Sequence, residues 1–150
     1  MKVALKKLRE NAIVPSFGSA DAAGADLYAC IDEEISISRG KTVMIPTGIA
    51  MAIPKGYVGL IFARSGLACK TGLAPANKVG VIDADYRGEI MVALHNHNGV
   101  DPATTKPEVV KPGDRIAQIV ILPYPEIEYE VTDELPGTER GEGGFGSTGA

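Results

Sequence analysis

Apolar residues in this chain fall in short runs cut by glycine, proline and asparagine. "TVMIPTGIAMAIP" (42 to 54), "YVGLIFA" (57 to 63), "EIMVALHNH" (89 to 97) and "RIAQIVILPY" (115 to 124) are rich in Val and Ile. Runs of this kind, bounded by turn residues, read as strands. "EIEYEVTDE" (126 to 134) alternates Ile127, Tyr129 and Val131 with Glu128 and Glu130, the period of a half-buried strand. Nothing sustains a helical period. The one helix candidate, "SGLACKTGLA" (65 to 74), is short and weakened by two glycines. Many short strands with turns between them predict an all-β sandwich, jelly roll or barrel.

The pattern breaks at residue 137, where "GTERGEGGFGSTGA" holds six glycines in fourteen residues. Such a stretch cannot pack a core and loses much entropy on ordering, so a flexible arm is expected there. No repeat or linker divides what precedes it. Residues 1–136 are therefore expected to form one domain and residues 137–150 an appended arm.

Composition narrows the function classes. The chain has 150 residues, 45% of them hydrophobic, which suits one globular domain with its own core. No apolar run approaches the roughly 20 residues of a membrane span. "MKVALKKLRE" carries charges within its apolar stretch and no cleavage site, so it reads as a solvated strand face and not as a secretory signal. The formal net charge of -4 argues against a general nucleic-acid binder, though one small cationic pocket remains compatible with it. Cys30 and Cys69 lie far apart and read as two reduced thiols in a cytoplasmic protein. His95 and His97 share a strand face, a spacing that can hold a metal but more often just ends a strand in solvent.

Four polar clusters remain. "GEGGFGST" has the glycine spacing of a P-loop but Ser147 in place of the lysine, and no helix follows it. Its backbone, hydroxyls and Arg140 could still wrap a polyphosphate, and Phe145 could cover a planar base. In "ARSGLA" (63 to 68), Arg64, Ser65 and Gly66 either end a strand in solvent or grip phosphate oxygens. Gln118 is the lone polar residue in "RIAQIVIL" and must brace a loop or face a polar site. "VIDADYRGEI" followed by "MVALH" reads as a hairpin with its turn near Asp85 to Gly88. Asp83, behind Val81 and Ile82, would be fixed and partly desolvated, which suits a general base. Asp85 reads as turn chemistry, Tyr86 as a core ring and Arg87 as a carboxylate partner.

Taken together, "AGADLYAC" (23 to 30), "ARSGLA" (63 to 68), "GVIDADYRGEI" (80 to 90), "GDRIAQIV" (113 to 120) and "RGEGGFGSTG" (140 to 149) resemble the five ordered motifs of the trimeric dUTPases. The resemblance spans essentially the whole chain. It implies a jelly-roll-like distorted β-barrel, a homotrimer with three sites at subunit boundaries, and Mg²⁺-dependent hydrolysis of dUTP to dUMP and pyrophosphate. Residue by residue, it implies that Asp83 is the general base for attack on the α-phosphorus. Tyr86 is the ring packed on the deoxyribose that leaves no room for a 2′-hydroxyl. Gly80, Val81, Ile82 and Met91 form the uracil slot, and Asn77 reads the pyrimidine edge. Arg64, Ser65 and Gly66 grip phosphates, with Gln118 reaching toward them.

By the same resemblance Asp26 orients water on a magnesium ion held mainly by the substrate's phosphates. The arm becomes a lid, with Arg140 at the γ-phosphate, Phe145 and Gly146 over the uracil, and Ser147 with Thr148 on the phosphate chain. One departure is Ala63, where many members have proline before the arginine. Two rival readings are a dCTP deaminase-type relative on the same fold and a non-catalytic nucleotide-binding regulator. The first lacks an extra glutamate within "NKVGVIDADY"; the second has no need of Arg64, Asp83, Tyr86, Gln118 and Phe145 together.

Overall fold

Steric preference for Val, Ile and Thr in extended backbone, with glycine at the corners, yields an all-β chain. The computed structural model describes residues 1–98 and 107–144. In chain order the strands before the helix are β1 (Ala4–Lys7), β2 (Ser16–Phe17), β3 (Ala25–Tyr28), β4 (Ile35–Ile37), β5 (Thr42–Pro46), β6 (Ile49–Ala52) and β7 (Tyr57–Phe62). The helix α1 (Ser65–Thr71) is followed by β8 (Leu73–Pro75), β9 (Gly80–Ile82), β10 (Met91–Asn96), β11 (Glu108–Val110) and β12 (Arg115–Pro123).

All pairings are antiparallel. A five-stranded sheet runs β2-β3-β12-β7-β9 and a three-stranded sheet β5-β10-β8, with pairs β1-β6 and β11-β4 beside them. Leu27, Ile45, Ile49, Val92, Leu94, Ile116 and Ile119 fill the core between these layers and are buried. Their alternation with exposed neighbours is the one the sequence displays, for example along β10, where Val92 and Leu94 point inward.

Four expectations need correction. The run 42 to 54 is two strands, because the chain turns at Gly48, whose φ is +69°. The expected hairpin through residues 81 to 95 is not paired: β9 joins β7 and β10 joins β5 and β8, so residues 83 to 90 carry the chain from one sheet to another. The segment 126 to 134 forms no strand. Ile127, Tyr129 and Val131 are 66%, 87% and 99% exposed, and no strand among the described residues pairs with them. The helix is shorter than expected, ending at Thr71 with Gly72 in the left-handed region.

Gly48 is tightly constrained. A Cβ there would lie 2.5 Å from Cys30 Sγ and 2.8 Å from the Ala12 Cβ. Its N–H donates to Glu89 Oε1 at 2.8 Å and its carbonyl accepts from Leu8 N–H at 2.7 Å. Gly48→Ala combines positive φ with overpacking, so we expect a loss of about 2 kcal/mol or more. A lower denaturation midpoint at an unchanged slope would register it; an unchanged midpoint would show that Cys30 and Ala12 can move aside.

Candidate active site

Neighbouring strands of the large sheet bring the first cluster together. The register sets Gln118 opposite Asp26 on β3 and opposite Phe62 on β7, with Arg64 just past the end of β7. A bulge between Arg115 and Ala117 adds one residue to β12, and Ile116 and Ala117 are consecutively buried. The extra residue resets the alternation and aims Arg115 to the same face as Gln118 and Asp26.

The result is a compact ionic group. Arg64 Nε donates to Asp26 Oδ1 at 2.7 Å, and Arg115 Nη1 donates to Asp26 Oδ2 at 3.3 Å. Arg64 Nη1 also donates to the Arg115 carbonyl at 3.3 Å. Gln118 Nε2 donates to the Ala63 carbonyl at 3.1 Å, so this loop is braced by an amide where proline is frequent in the resembling family. Gln118 in turn rests on Gly24, where a Cβ would sit 3.0 Å from Oε1. These groups, with Ser65 and Gly66, line a cleft of about 220 Å³. Nothing lies within 4 Å of a Cβ built on Gly66, so the backbone there is open to a ligand.

Asp26 is 8% exposed and holds both guanidinium groups. Asp26→Ala would leave those cations without their carboxylate. We expect a stability loss of about 1–3 kcal/mol at neutral pH, read by chemical denaturation. No loss would mean that water replaces the carboxylate at no cost.

A second cleft, of about 250 Å³, opens where β9 runs into the crossing segment. Val81, Ile82, Asp83, Tyr86 and Met91 line it, and Met44 and Glu89 complete it. Tyr86 is no core ring: it is 43% exposed, and its hydroxyl donates to the Glu89 carbonyl at 3.0 Å. Asp83 is exposed as well, so the desolvation expected of it is not supplied by this chain's own fold. Its carbonyl accepts from Tyr86 N–H at 3.2 Å, which tightens the bend and puts both side chains at one mouth. Arg87 makes no carboxylate pair; its Nη1 donates to the carbonyls of Ala84 and Tyr86 at 2.7 and 2.9 Å.

Asn77 and Gly80 do not line this cleft. Asn77 Nδ2 stands 3.3 Å from where a Gly80 Cβ would be, so the amide lies over the start of β9. Arg140 lies far along the exposed terminal segment and donates to the Gly143 carbonyl at 2.8 Å. Phe145, Gly146, Ser147 and Thr148 lie outside the described residues.

Metal and thiol candidates are quickly placed. The rings of His95 and His97 come to 4.4 Å between centroids, and Thr42 Oγ1 bonds His95 Nδ1 at 2.9 Å. Desolvation, with the nearby Lys78 and His95, lowers the pKa of His97. No third His, Cys, Asp or Glu joins them, and no such group of three exists among the described residues. Both cysteines are free; burial pushes the Cys30 thiol up, and it donates to Asn11 Oδ1 at 3.1 Å. Among the described residues no helix is long and apolar enough to cross a membrane.

Sequence reasoning missed Arg115, Glu89 and Met44. Arg115 had a signal: two apolar residues between Arg115 and Gln118 break the period of two, as a bulge requires. Met44 had none, since it reaches the cleft only through the pairing of β10 with β5, and Glu89 had none, since its carboxylate is placed by the distant Gly48 N–H.

Known proteins resemble this chain over nearly its whole length. The family model for dUTPase matches residues 10–149. A deoxyuridine 5'-triphosphate nucleotidohydrolase of Syntrophotalea carbinolica is 48% identical over 98% of this chain and 96% of its own length. One from Desulfitobacterium hafniense is 50% identical over 99% of this chain and 95% of its own. Among solved structures, the Staphylococcus bacteriophage 80alpha dUTPase with dUpNHpp superposes with a TM-score of 0.85 at 31% identity, covering 99% of each chain. The match over nearly the whole length, with both clefts carrying the motif residues, settles the assignment: this chain belongs to the dUTPase family.

Proposed function

We propose that this chain hydrolyses dUTP to dUMP and pyrophosphate, with Asp83 as general base. The observation that carries the reading is the division of labour between the two clefts. One presents the cationic, phosphate-sized cluster of Arg64, Ser65, Gly66, Arg115 and Gln118. The other presents an apolar slot with a carboxylate and an aromatic ring at its mouth.

In the proposed step Asp83 takes a proton from water as the water oxygen bonds to the α-phosphorus. The bond from that phosphorus to the bridging oxygen breaks, and pyrophosphate leaves. The Arg64 guanidinium, braced by Asp26 and the Arg115 carbonyl, supplies positive charge to the triphosphate, and with the open backbone at Gly66 it holds the chain in line. Val81, Ile82 and Met91 flank the uracil, Asn77 and Gly80 border the slot, and Tyr86 packs on the sugar. The lid, residues 137–150 appended to the core of residues 1–136, closes over these groups, with Arg140, Phe145, Gly146, Ser147 and Thr148 as its contacts.

Magnesium fits this design as a substrate-borne ion. Both oxygens of Asp26 are taken by arginines, and among the described residues no three ligand side chains converge, so these offer an outer carboxylate and no cage. Held by the phosphates, Mg²⁺ would neutralise their charge and fix their arrangement.

We further propose a homotrimer on a jelly-roll-like barrel, located in the cytoplasm. Two features support the trimer. The clefts share no lining residue, so a site built at a subunit boundary can join one chain's phosphate grip to another's slot. An apolar groove of about 400 Å³, lined by Val3, Leu5, Phe17 and Ile121 among others, and the uncovered side chains of residues 126 to 134 both need partners. Complementation tests this directly. Co-refolding Asp83→Asn chains with Arg64→Ala chains is expected to restore turnover that neither variant shows alone. Failure to restore any would place the whole site within one chain.

A further inference from the structure

Gly88 has a normal backbone conformation, with φ outside the left-handed region, so turn geometry does not explain it. Space does. A Cβ on Gly88 would lie 2.6 Å from Tyr86 Cζ and 2.9 Å from Cε2, well inside any contact that real atoms make. The tip of the ring, its hydroxyl first and then Cζ, therefore lies against the Gly88 backbone. The same hydroxyl is held as well, since it donates to the Glu89 carbonyl at 3.0 Å. Glu89 is not free to follow a moving ring, because its Oε1 accepts from Gly48 N–H at 2.8 Å in the constrained turn between β5 and β6. Ile90, next along the chain, is 1% exposed, and its N–H donates to the Ile49 carbonyl at 2.9 Å.

We propose that Gly88 is a specificity-determining positioning residue: it seats the Tyr86 ring, with Glu89 as the clamp, at the depth that separates 2′-deoxyribose from ribose. The inference rests on reading Tyr86 as the ring that excludes the 2′-hydroxyl. Discrimination against one added hydroxyl depends on overpacking, which a shift of well under the width of an oxygen atom undoes. A methyl group against the ring's tip forces such a shift. The polar clamp cannot prevent it, because the hydroxyl that the Glu89 carbonyl holds is itself the atom the methyl displaces.

The experiment is a double-mutant cycle read as the ratio of kcat/KM for dUTP to kcat/KM for UTP, in the full chain with magnesium. Tyr86→Leu is expected to lower this ratio sharply. Gly88→Ala alone is expected to lower it about tenfold or more, the scale on which one methylene changes pocket discrimination. In the Tyr86→Leu background Gly88→Ala is expected to change nothing further, because no ring remains to displace. If Tyr86→Leu relaxes the ratio while Gly88→Ala leaves it at the parent value, the seating role is overturned and the reading of Tyr86 stands. Equal, additive losses from the two substitutions also overturn it, since Gly88 would then act without the ring. An unchanged ratio in Tyr86→Leu overturns both. Should Gly88→Ala alone reduce the yield of folded protein, the double variant is expected to recover it, and failure to recover counts against the proposal.

Discussion

Asp83→Asn is expected to bind dUTP with magnesium as the parent does and to turn it over about 10²-fold more slowly or worse, the usual scale for a lost general base. The structure makes this a clean substitution. Asp83 is exposed, and none of the ion pairs among the described residues involves its carboxylate, so removing the charge disturbs no packing. Asparagine keeps the shape and the bend, whose hydrogen bond uses the Asp83 carbonyl and not its side chain. What it cannot do is accept the proton of the attacking water. Pyrophosphate release measured beside dUTP binding separates the two effects. Normal turnover would remove Asp83 from the base role, and lost binding would make it a substrate contact instead.

Deleting residues 137–150 is expected to leave the folded body at its parent melting temperature and to cut turnover by about 10²-fold, as loss of a closing element that orders the reacting groups would. The last strand, β12, ends at Pro123, and residues 137 to 142 are exposed. The contacts described there are local turns, from Gly141 N–H to the Thr138 carbonyl and from Gly143 N–H to the Arg140 carbonyl. Nothing in the core depends on them. A large fall in melting temperature would give the arm a structural role, and full activity would dismiss the lid.

Individual residues show what the sequence could and could not disclose. The strands were legible because Val and Ile runs bounded by glycine and proline are a local signal. Their partners were not, because pairing is long-range: β9 and β10 are neighbours in sequence yet belong to different sheets. The alternation at Ile127, Tyr129 and Val131 is real, but period reports only that one face seeks cover, not that this chain covers it. Asp26, Arg64 and Arg115 form one ionic group across three strands, and only two of the three could be named beforehand, through motif resemblance. Arg115 required the bulge. Asp83 and Tyr86 were found by resemblance, while the residues alone suggested a half-buried base and a core ring. Both proved exposed at the mouth of the second cleft.

The most direct test of the central claim is a product assay with magnesium on dUTP, dCTP, TTP and UTP separately. Pyrophosphate and dUMP from dUTP, with the other three left essentially intact, is the predicted result. Ammonia from dCTP would instead identify a deaminase, and dUTP bound without any turnover would leave a nucleotide-binding regulator and contradict the hydrolytic account.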